Sequence, residues 1–367
     1  MATSNAQVMY GRQFLQRTEY CRSLYRSAVP QITQRFYADK KPLLHEACWN
    51  EDSDLITRLL HDSNMNINER DEFGATPLHI ACRKSNKDIV NLLLKTEDIQ
   101  VNIKMRDFLT PLHVAVKAGF PEIVRALLSR DDIAVNATAV EEETPLALAC
   151  RIGHNDAAKV LVEDSRTNLN AKDARGITPL LSACGREYID IVKLFVNHER
   201  VNINATDEDG YSALHLACAA ERSDIVTVLL QDQKIDCNIK TQDGISPLYI
   251  ATCNESVKLV VTLLSDTRID VDIQKDNGMT PLHMAAGCGN AKLVQEILKR
   301  SPTVNAAMTE KLTPLHLSCQ QGHESVIKLL LQEKQIDVDA KDSRGLTARH
   351  YAATLPTPLN LDNLKES

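Results

Sequence analysis

Seven histidines recur in this chain at a nearly constant spacing, and their side chains could in principle bind a metal ion or act as general bases. They are His45, His79, His113, His215, His283, His316 and His350, separated by 33 or 34 residues or by multiples of that step. Metal sites need ligands close together, as in CxxC or HExxH motifs. One histidine per long interval instead predicts a structural role, in which most imidazoles bind the hydroxyl three residues earlier.

Two other groups of residues could do chemistry. Glu141-Glu142-Glu143 is a run of carboxylates, and Gly287-Cys288-Gly289 is the closest approach to a phosphate-binding glycine loop. Neither has the partner residues of a general acid/base pair or of a nucleotide-binding motif. We therefore expect no catalytic residue, no cofactor and no metal, and we interpret the glutamates as a solvated or partner-facing patch. An enzyme or enzyme-regulatory subunit without a recognisable motif is the alternative from another class.

The elements that position these residues are internal repeats. A Thr-Pro pair or a variant of it begins a new unit about every 34 residues, with one step of 33, and its first residue is Thr76, Thr110, Thr144, Thr178, Ser212, Ser246, Thr280, Thr313 or Thr347. A constant period of this length is typical of repeat proteins, in which each unit packs only on its neighbours.

Residues 71–104 show how one unit folds. Thr76 suits the N-cap of a helix, and Pro77 suits its first position, where a missing N–H costs nothing. The polar segment 83–87 predicts a turn, and Ile89 to Leu94 have the i, i+3, i+4 apolar spacing of a second helix. Helices of about ten residues are unstable alone in water, so the pair must stack on further copies.

These units resemble the ankyrin repeat. The matching stretches are DEFGATPLHIAC (71–82), DARGITPLLSAC (173–184), DEDGYSALHLAC (207–218), DNGMTPLHMAA (276–286) and GHESVIKLLL (322–331). The tetratricopeptide repeat has a similar length, but its tryptophan-led signature is absent. The resemblance implies an all-α solenoid of helix-turn-helix units with hairpin-like loops, with about nine full repeats and a partial C-terminal cap. The predicted domains are a basic extension (1–40), the array (41–353) and a frayed polar tail (354–367).

The resemblance also implies a protein-binding adaptor or scaffold without catalysis. Ankyrin arrays bind partners on a concave face made by the loop tips and the first helices. Aromatic and arginine residues are the strongest interface anchors. The candidates on this face are Phe73, Arg83, Lys84, Arg106, Phe108, Arg151, Arg175, Arg186 and Tyr211. Basic helix positions beside acidic tips suggest a bipolar groove for an extended peptide of mixed charge.

Three tips depart from the family pattern. Phe108, Glu142 and Lys311 stand where the repeat has glycine. Glycine there permits positive φ, so we expect these tips to be altered or looser. The resemblance further implies that late-repeat asparagines can be hydroxylated, and the candidates are Asn102, Asn136, Asn204 and Asn238.

The N-terminal extension is basic and has an amphipathic pattern. Its six Arg/Lys and two acids give residues 1–40 a charge of +4, and the rest carries −11. Arginine-rich, acid-poor segments of this kind are typical of mitochondrial transit peptides. A cytoplasmic protein is our main expectation, and delivery to mitochondria by residues 1–37 is the alternative.

Composition restricts the classes of partner. The net charge is −7, and 43% of residues are hydrophobic, without an apolar run of spanning length. An acidic array binds nucleic acid poorly, so we expect its partners to be other proteins or extended peptide segments. We also expect a monomeric array without a transmembrane segment. Six cysteines, Cys48, Cys82, Cys150, Cys184, Cys218 and Cys319, share one repeat position. We interpret them as small buried residues of a reducing compartment.

Overall fold

The computed structural model describes residues 43–186 and 188–361. These ranges contain nineteen α-helices and two short 3₁₀ turns, with no β-strand among them. They divide into two compact units, with the boundary between Glu208 and Asp209. The predicted N-terminal extension and the transit-peptide alternative lie outside the described residues.

The N-terminal unit consists of five helix pairs, and in each pair the first helix is followed by an antiparallel second helix. Its helices are α1 (Leu43–Asn50), α2 (Ser53–Leu60), α3 (Pro77–Lys84), α4 (Lys87–Leu94), α5 (Pro111–Ala118), α6 (Pro121–Leu128), α7 (Pro145–Ile152), α8 (Asn155–Glu163), α9 (Pro179–Cys184) and α10 (Ile189–Phe195). First helices pack on the neighbouring first helices, and second helices pack on the neighbouring second helices.

The C-terminal unit repeats the arrangement and ends on a single helix. Its helices are α11 (Ala213–Ala219), α12 (Ser223–Leu229), α13 (Pro247–Cys253), α14 (Val257–Leu264), α15 (Pro281–Cys288), α16 (Ala291–Leu298), α17 (Pro314–Gln321), α18 (Glu324–Leu331) and α19 (Ala348–Ala353). The all-helical repeat fold predicted from the sequence is confirmed.

The start of each first helix is built as its sequence predicts. In α5, Thr110 is the N-cap and Pro111 the first helical residue. The Thr110 hydroxyl accepts the His113 backbone N–H, and the Thr110 N–H donates to His113 Nδ1 at 3.3 Å. Two amides that the helix leaves without partners are thereby satisfied. Gly119 ends the helix in the left-handed conformation, with φ of 81°.

The core is formed by small and branched side chains that face the neighbouring repeats. In α6, Ile123, Val124 and Leu127 are fully buried. Each such side chain contributes roughly 1.5–3 kcal/mol on transfer from water. The six repeat-position cysteines are also buried, as expected. Burial raises the pKa of the Cys48 thiol to about 12 and raises the pKa of the others as well, so these thiols are poor nucleophiles.

Two boundaries differ from the sequence prediction. The turn between α3 and α4 contains only Ser85 and Asn86, because the basic residues before it continue the first helix. Packing also continues past α19. Leu359 N–H donates to Ala352 O at 3.2 Å, and Leu361 is only 3% exposed. Residues 354–361 are therefore not a uniformly frayed polar tail, because Leu361 at their end is buried.

Candidate functional site

The tips are the five residues before each N-cap, and residues 71–75 show their usual form. Gly74 N–H donates to Asp71 O and Asp71 N–H donates to Ala75 O, both at 2.9 Å. The Asp71 carboxylate accepts two further N–H groups, from Phe73 and Ala75. Gly74 has φ of 76°, the left-handed region that glycine adopts without strain. The tip is thus a rigid turn that holds Phe73, which is half-buried, in a fixed place.

Neighbouring tips within the N-terminal unit are joined by backbone hydrogen bonds. Arg106 N–H donates to Phe73 O and Ala174 N–H donates to Glu141 O, both at 2.9 Å. Glu208 N–H makes the corresponding bond to Arg175 O at 3.4 Å. Side chains of successive tips therefore lie next to one another along one edge of the unit.

The tips that lack glycine keep its backbone conformation. Phe108, Glu142 and Lys311 have φ of 59°, 60° and 58°. In repeat three the tip bonds are unchanged, since Phe108 N–H donates to Met105 O at 2.9 Å. The prediction of an altered tip is therefore wrong at Phe108. It holds for the tips of Glu142 and Lys311, where a 3₁₀ turn forms and the preceding residue also has positive φ.

Two large apolar side chains project from these tips. Phe108 is 57% exposed and Val140, in the next tip, is 55% exposed. Arg106 and Asp107 beside Phe108 are exposed as well. Val140 was missed from the sequence, although an apolar residue among the charged residues of a tip is a signal that could have identified it.

Arg83 and Lys84 lie in the last turn of α3. They flank an aromatic residue of repeat one, since the Arg83 Cζ and the Lys84 Nζ are 5.6 and 5.0 Å from the centroid of the Trp49 ring. Lys84 also forms an ion pair of 3.5 Å with Glu51. Cations at this distance over an indole are attracted by its π-face. The structure thus adds Trp49 to the candidate surface, which sequence reasoning did not include.

Two predicted arginines are already paired with the acidic tips. Arg151 binds Glu143 through both carboxylate oxygens, at 2.5 and 3.0 Å, and this raises the pKa of Arg151. Arg175 lies 3.7 Å from Glu141 and 3.6 Å from Asp173. Of the two interpretations of the glutamate run, the solvated one does not fit Glu143, which is held by a bidentate ion pair, and the partner-facing one stays a prediction. Part of the mixed charge that predicted a bipolar groove is therefore neutralised by ion pairs within this surface.

The remaining two candidates are placed differently. Arg186 is half-buried and lies just beyond the C-terminal end of α9. Tyr211 belongs to the C-terminal unit, where its ring packs edge-on against His215 with centroids 5.8 Å apart. The structure therefore groups eight of the nine candidates in the N-terminal unit.

The recurrent histidines are structural, as predicted. His113 Nε2 donates to Glu143 O of the next tip at 3.1 Å, while Nδ1 faces the Thr110 hydroxyl at 2.8 Å. His79, His215, His283 and His316 make the same two contacts. Burial lowers the pKa to about 4 for His79, His113, His215 and His283. These imidazoles are neutral at pH 7 and join one repeat to the next.

The late-repeat asparagines also join repeats. Asn102 Nδ2 donates to Asp132 O and Asn102 Oδ1 accepts the Ala134 N–H, both at 2.7 Å. Asn136 and Asn238 make the equivalent pairs of bonds. Asn204, the fourth hydroxylation candidate, is half-buried. Asn102, Asn136 and Asn238 thus bridge neighbouring loops.

A row of arginines that the sequence reasoning missed also has a structural role. Arg166 donates to Arg130 O and Leu128 O of the preceding repeat, and Arg268 donates to Asp232 O and Leu230 O. A guanidinium at the C-terminal end of a second helix satisfies carbonyls that the helix leaves without partners.

No group of three or more His, Cys, Asp or Glu side chains that could hold a metal ion is found in residues 43–186 and 188–361. None of the helices in the described ranges is long and apolar enough to cross a membrane.

Comparison with known proteins agrees with this geometry. A family model described as ankyrin repeats, in three copies, matches residues 44–139, 146–241, 233–308 and 289–360. A comparison with individual curated proteins found no match. The family model covers most of the sequence, and the capped helix pairs and hairpin-like tips are those expected of it. The chain therefore belongs to the ankyrin-repeat family, whose repeats generally serve in protein interaction.

Proposed function

We propose that this protein is an adaptor or scaffold that binds partner proteins through the face formed by the tips and first helices of its N-terminal unit. It does so without a cofactor and without catalysis of its own. The observation that supports this most strongly is Phe108, because its position is unfavourable for the isolated chain in two ways.

The first cost is in the backbone. A phenylalanine at φ of 59° occupies a region that costs an L-residue roughly 1–2 kcal/mol. The second cost is in solvation, since more than half of the ring is in water. Lys311 has the same backbone cost, so the exposed ring is what distinguishes Phe108 from the other tips without glycine. A partner that covers Phe108 and Val140 removes the solvation cost, and this gives the two side chains a function that folding alone does not.

A matched pair of variants tests the proposal. Phe108→Gly and Lys311→Gly both restore the glycine of the family pattern, one in each unit. Full-length protein and both variants are used to capture partners from cell extract, and bound proteins are identified by mass spectrometry. We expect Phe108→Gly to lose a set of partners that the wild type and Lys311→Gly retain.

The outcome can also go against the proposal. Circular dichroism first establishes that both variants fold. If the two folded variants capture the same proteins as the wild type, Phe108 is not part of the binding surface. If Lys311→Gly alone loses partners, the binding surface lies in the C-terminal unit.

We also propose that the protein acts in the cytoplasm, with import into mitochondria through residues 1–37 as the alternative. The expected cytoplasmic use of ankyrin arrays supports the first, and the basic, acid-poor composition of residues 1–40 supports the second. N-terminal sequencing of the protein isolated from cells distinguishes them. An N-terminus that begins near residue 38 supports import, and one at Met1 or Ala2 supports the cytoplasm.

Hydroxylation at Asn102, Asn136, Asn204 and Asn238 remains a proposal as well. The bonds of Asn102 to Asp132 and Ala134 must open before an enzyme can reach its β-carbon. Peptide mass spectrometry of the cellular protein tests it, because each modified asparagine gains one oxygen atom. Unmodified peptides at all four positions overturn the proposal.

A further inference from the structure

The last turns of the first helices differ in charge between the two units. In the N-terminal unit these turns, and the residue just beyond α9, carry five cations, which we term the basic row: Arg83, Lys84, Lys117, Arg151 and Arg186. In the C-terminal unit the corresponding eight positions hold no charge: Ala219, Ala220, Cys253, Asn254, Gly287, Cys288, Gln320 and Gln321. Arg83 and Lys117 are exposed, and the other three are half-buried.

Helix stability does not explain the basic row. A cation near a helix C-terminus gains only about 0.3–1 kcal/mol from the helix dipole. Helices α15 and α17 have eight residues, as α3, α5 and α7 do, and neither they nor α11 and α13 have a basic residue in the last turn. The cations are therefore not needed for a first helix of this fold, and their recurrence in the repeats around Phe108 indicates a ligand.

The spacing of the row defines the form of that ligand. Helices α3, α5, α7 and α9 pack directly on one another in sequence. Packed helices lie about 8–10 Å apart. A polyproline-II chain advances about 3.1 Å per residue, or about 9 Å for every three residues. We infer that the basic row binds an extended acidic segment of a partner protein, with carboxylates at about every third position.

This inference rests on the proposed function, because it names the chemistry of the partner for the same face. It favours a protein segment over nucleic acid because acidic side chains lie close by. Glu143 already holds Arg151, and Glu141 and Glu142 of the same tip are exposed. The closely spaced phosphates of a nucleic acid are repelled by these glutamates. Ligand carboxylates that are spaced along a peptide can instead contact Arg83 and Lys117 and avoid the glutamates.

Trp49 provides a reporter at one end of the row. It is the only tryptophan of the chain, and its ring lies 5.6 Å from the Arg83 guanidinium and 5.0 Å from the Lys84 ammonium. A carboxylate that binds either cation changes the electrostatic field at the indole. Ligand binding at the row is therefore expected to change the fluorescence of Trp49 without any added label.

The experiment titrates the full-length protein with two synthetic peptides of identical composition, both without tryptophan. One has glutamate at every third position among proline and alanine, and the other has the same glutamates in one contiguous block. We expect the spaced peptide to give a saturable change in Trp49 emission. Its affinity should be at least about threefold higher than that of the block peptide and should fall as salt is added.

Charge reversal locates the site. Lys117 lies away from Trp49, and we expect Lys117→Glu to weaken binding of the spaced peptide by about tenfold. Gln320→Glu makes an acidic side chain at the same repeat position in the C-terminal unit, and we expect it to leave the affinity unchanged within twofold. Circular dichroism confirms that both variants fold.

Three results overturn the inference: no response to the spaced peptide, equal affinity for the two peptides, or equal weakening by Lys117→Glu and Gln320→Glu. Tighter binding of single-stranded DNA or of anionic lipid vesicles than of the spaced peptide also overturns it. Failure here is separable from failure of the proposed function. If Phe108→Gly still loses cellular partners while the peptides do not bind, the adaptor proposal stands and only the acidic ligand is wrong.

Discussion

The two units of this protein share one folding chemistry and differ in their surface chemistry. In both, a buried histidine caps the first helix and contacts the next tip, as His113 does in the N-terminal unit and His283 does in the C-terminal unit. Exposed large apolar side chains in the tips, Phe108 and Val140, occur only in the N-terminal unit of the described chain. The basic row lies there as well.

This difference indicates which repeat positions carry information about function. Residues common to both units, such as the capping threonines, serve the fold. Exposed apolar side chains that only one unit carries in its tips, such as Phe108, are not required by a fold that the other unit achieves without them. Function is therefore expected where the units differ.

The pH dependence of stability tests the buried histidines that the two units share, and it should show the greatest change of all the predictions. The pKa of His113 and of His283 is lowered to about 4, against about 6.5 in the unfolded chain. Stability from these groups is complete above pH 6.5 and is lost as the pH falls towards 4, because the unfolded chain binds protons first. At pH 4.5 each histidine is expected to have lost about 2.5 kcal/mol.

Urea unfolding followed by circular dichroism at pH 7 and 4.5 measures this loss. His113→Gln and His283→Gln are expected to be less stable than the wild type at pH 7. Each variant should lose about 2.5 kcal/mol less than the wild type on acidification. If only one of the two variants changes the pH dependence, the units do not share the capping chemistry.

The next effect concerns the strained tips. Phe108→Gly and Lys311→Gly both remove an L-residue from the left-handed region, so each is expected to stabilise the folded chain by up to about 1 kcal/mol. Thermal melts of the two variants beside the wild type measure it. A lower melting temperature for Phe108→Gly alone would mean that the ring stabilises the folded tip. The positive φ of Phe108 would then give no support to a binding function.

The fold was largely predictable, because a period near 34 residues and a Thr-Pro cap are local signals. The site was predictable only in part. Arg151 and Arg175 are predicted as interface anchors beside acidic tips, but their ion pairs with Glu143 and Glu141 depend on which side chains the fold brings together. Trp49 was missed because its contact with Arg83 joins residues of different repeats.

A smaller effect is expected from moving the charge pattern into the other unit. Cys288 and Gln321 are exposed and occupy the repeat position of Lys84. The double variant Cys288→Lys and Gln321→Lys should bind the spaced glutamate peptide about three- to fivefold more tightly in a Lys117→Glu background. Fluorescence anisotropy of a labelled peptide measures this. No gain would mean that charge at this position is insufficient for binding.

The smallest effect comes from releasing Arg151. Glu143→Gln removes the carboxylate that holds the guanidinium, and a partly exposed pair of this kind contributes less than about 1 kcal/mol. We expect nearly unchanged stability and about twofold tighter binding of the spaced peptide in the Trp49 titration. Weaker binding would show that Glu143 holds Arg151 in the binding geometry instead of competing with the ligand.

Site-specific photo-cross-linking in cells is the most direct test of whether partner proteins bind to the N-terminal unit. Benzoylphenylalanine replaces Phe108 in one full-length protein, where it resembles the native ring, and Lys311 in another, where it occupies the matching tip of the C-terminal unit. We predict cross-linked protein at position 108 that is absent at position 311. Cross-links at position 311 with none at position 108 would contradict the placement of the binding surface.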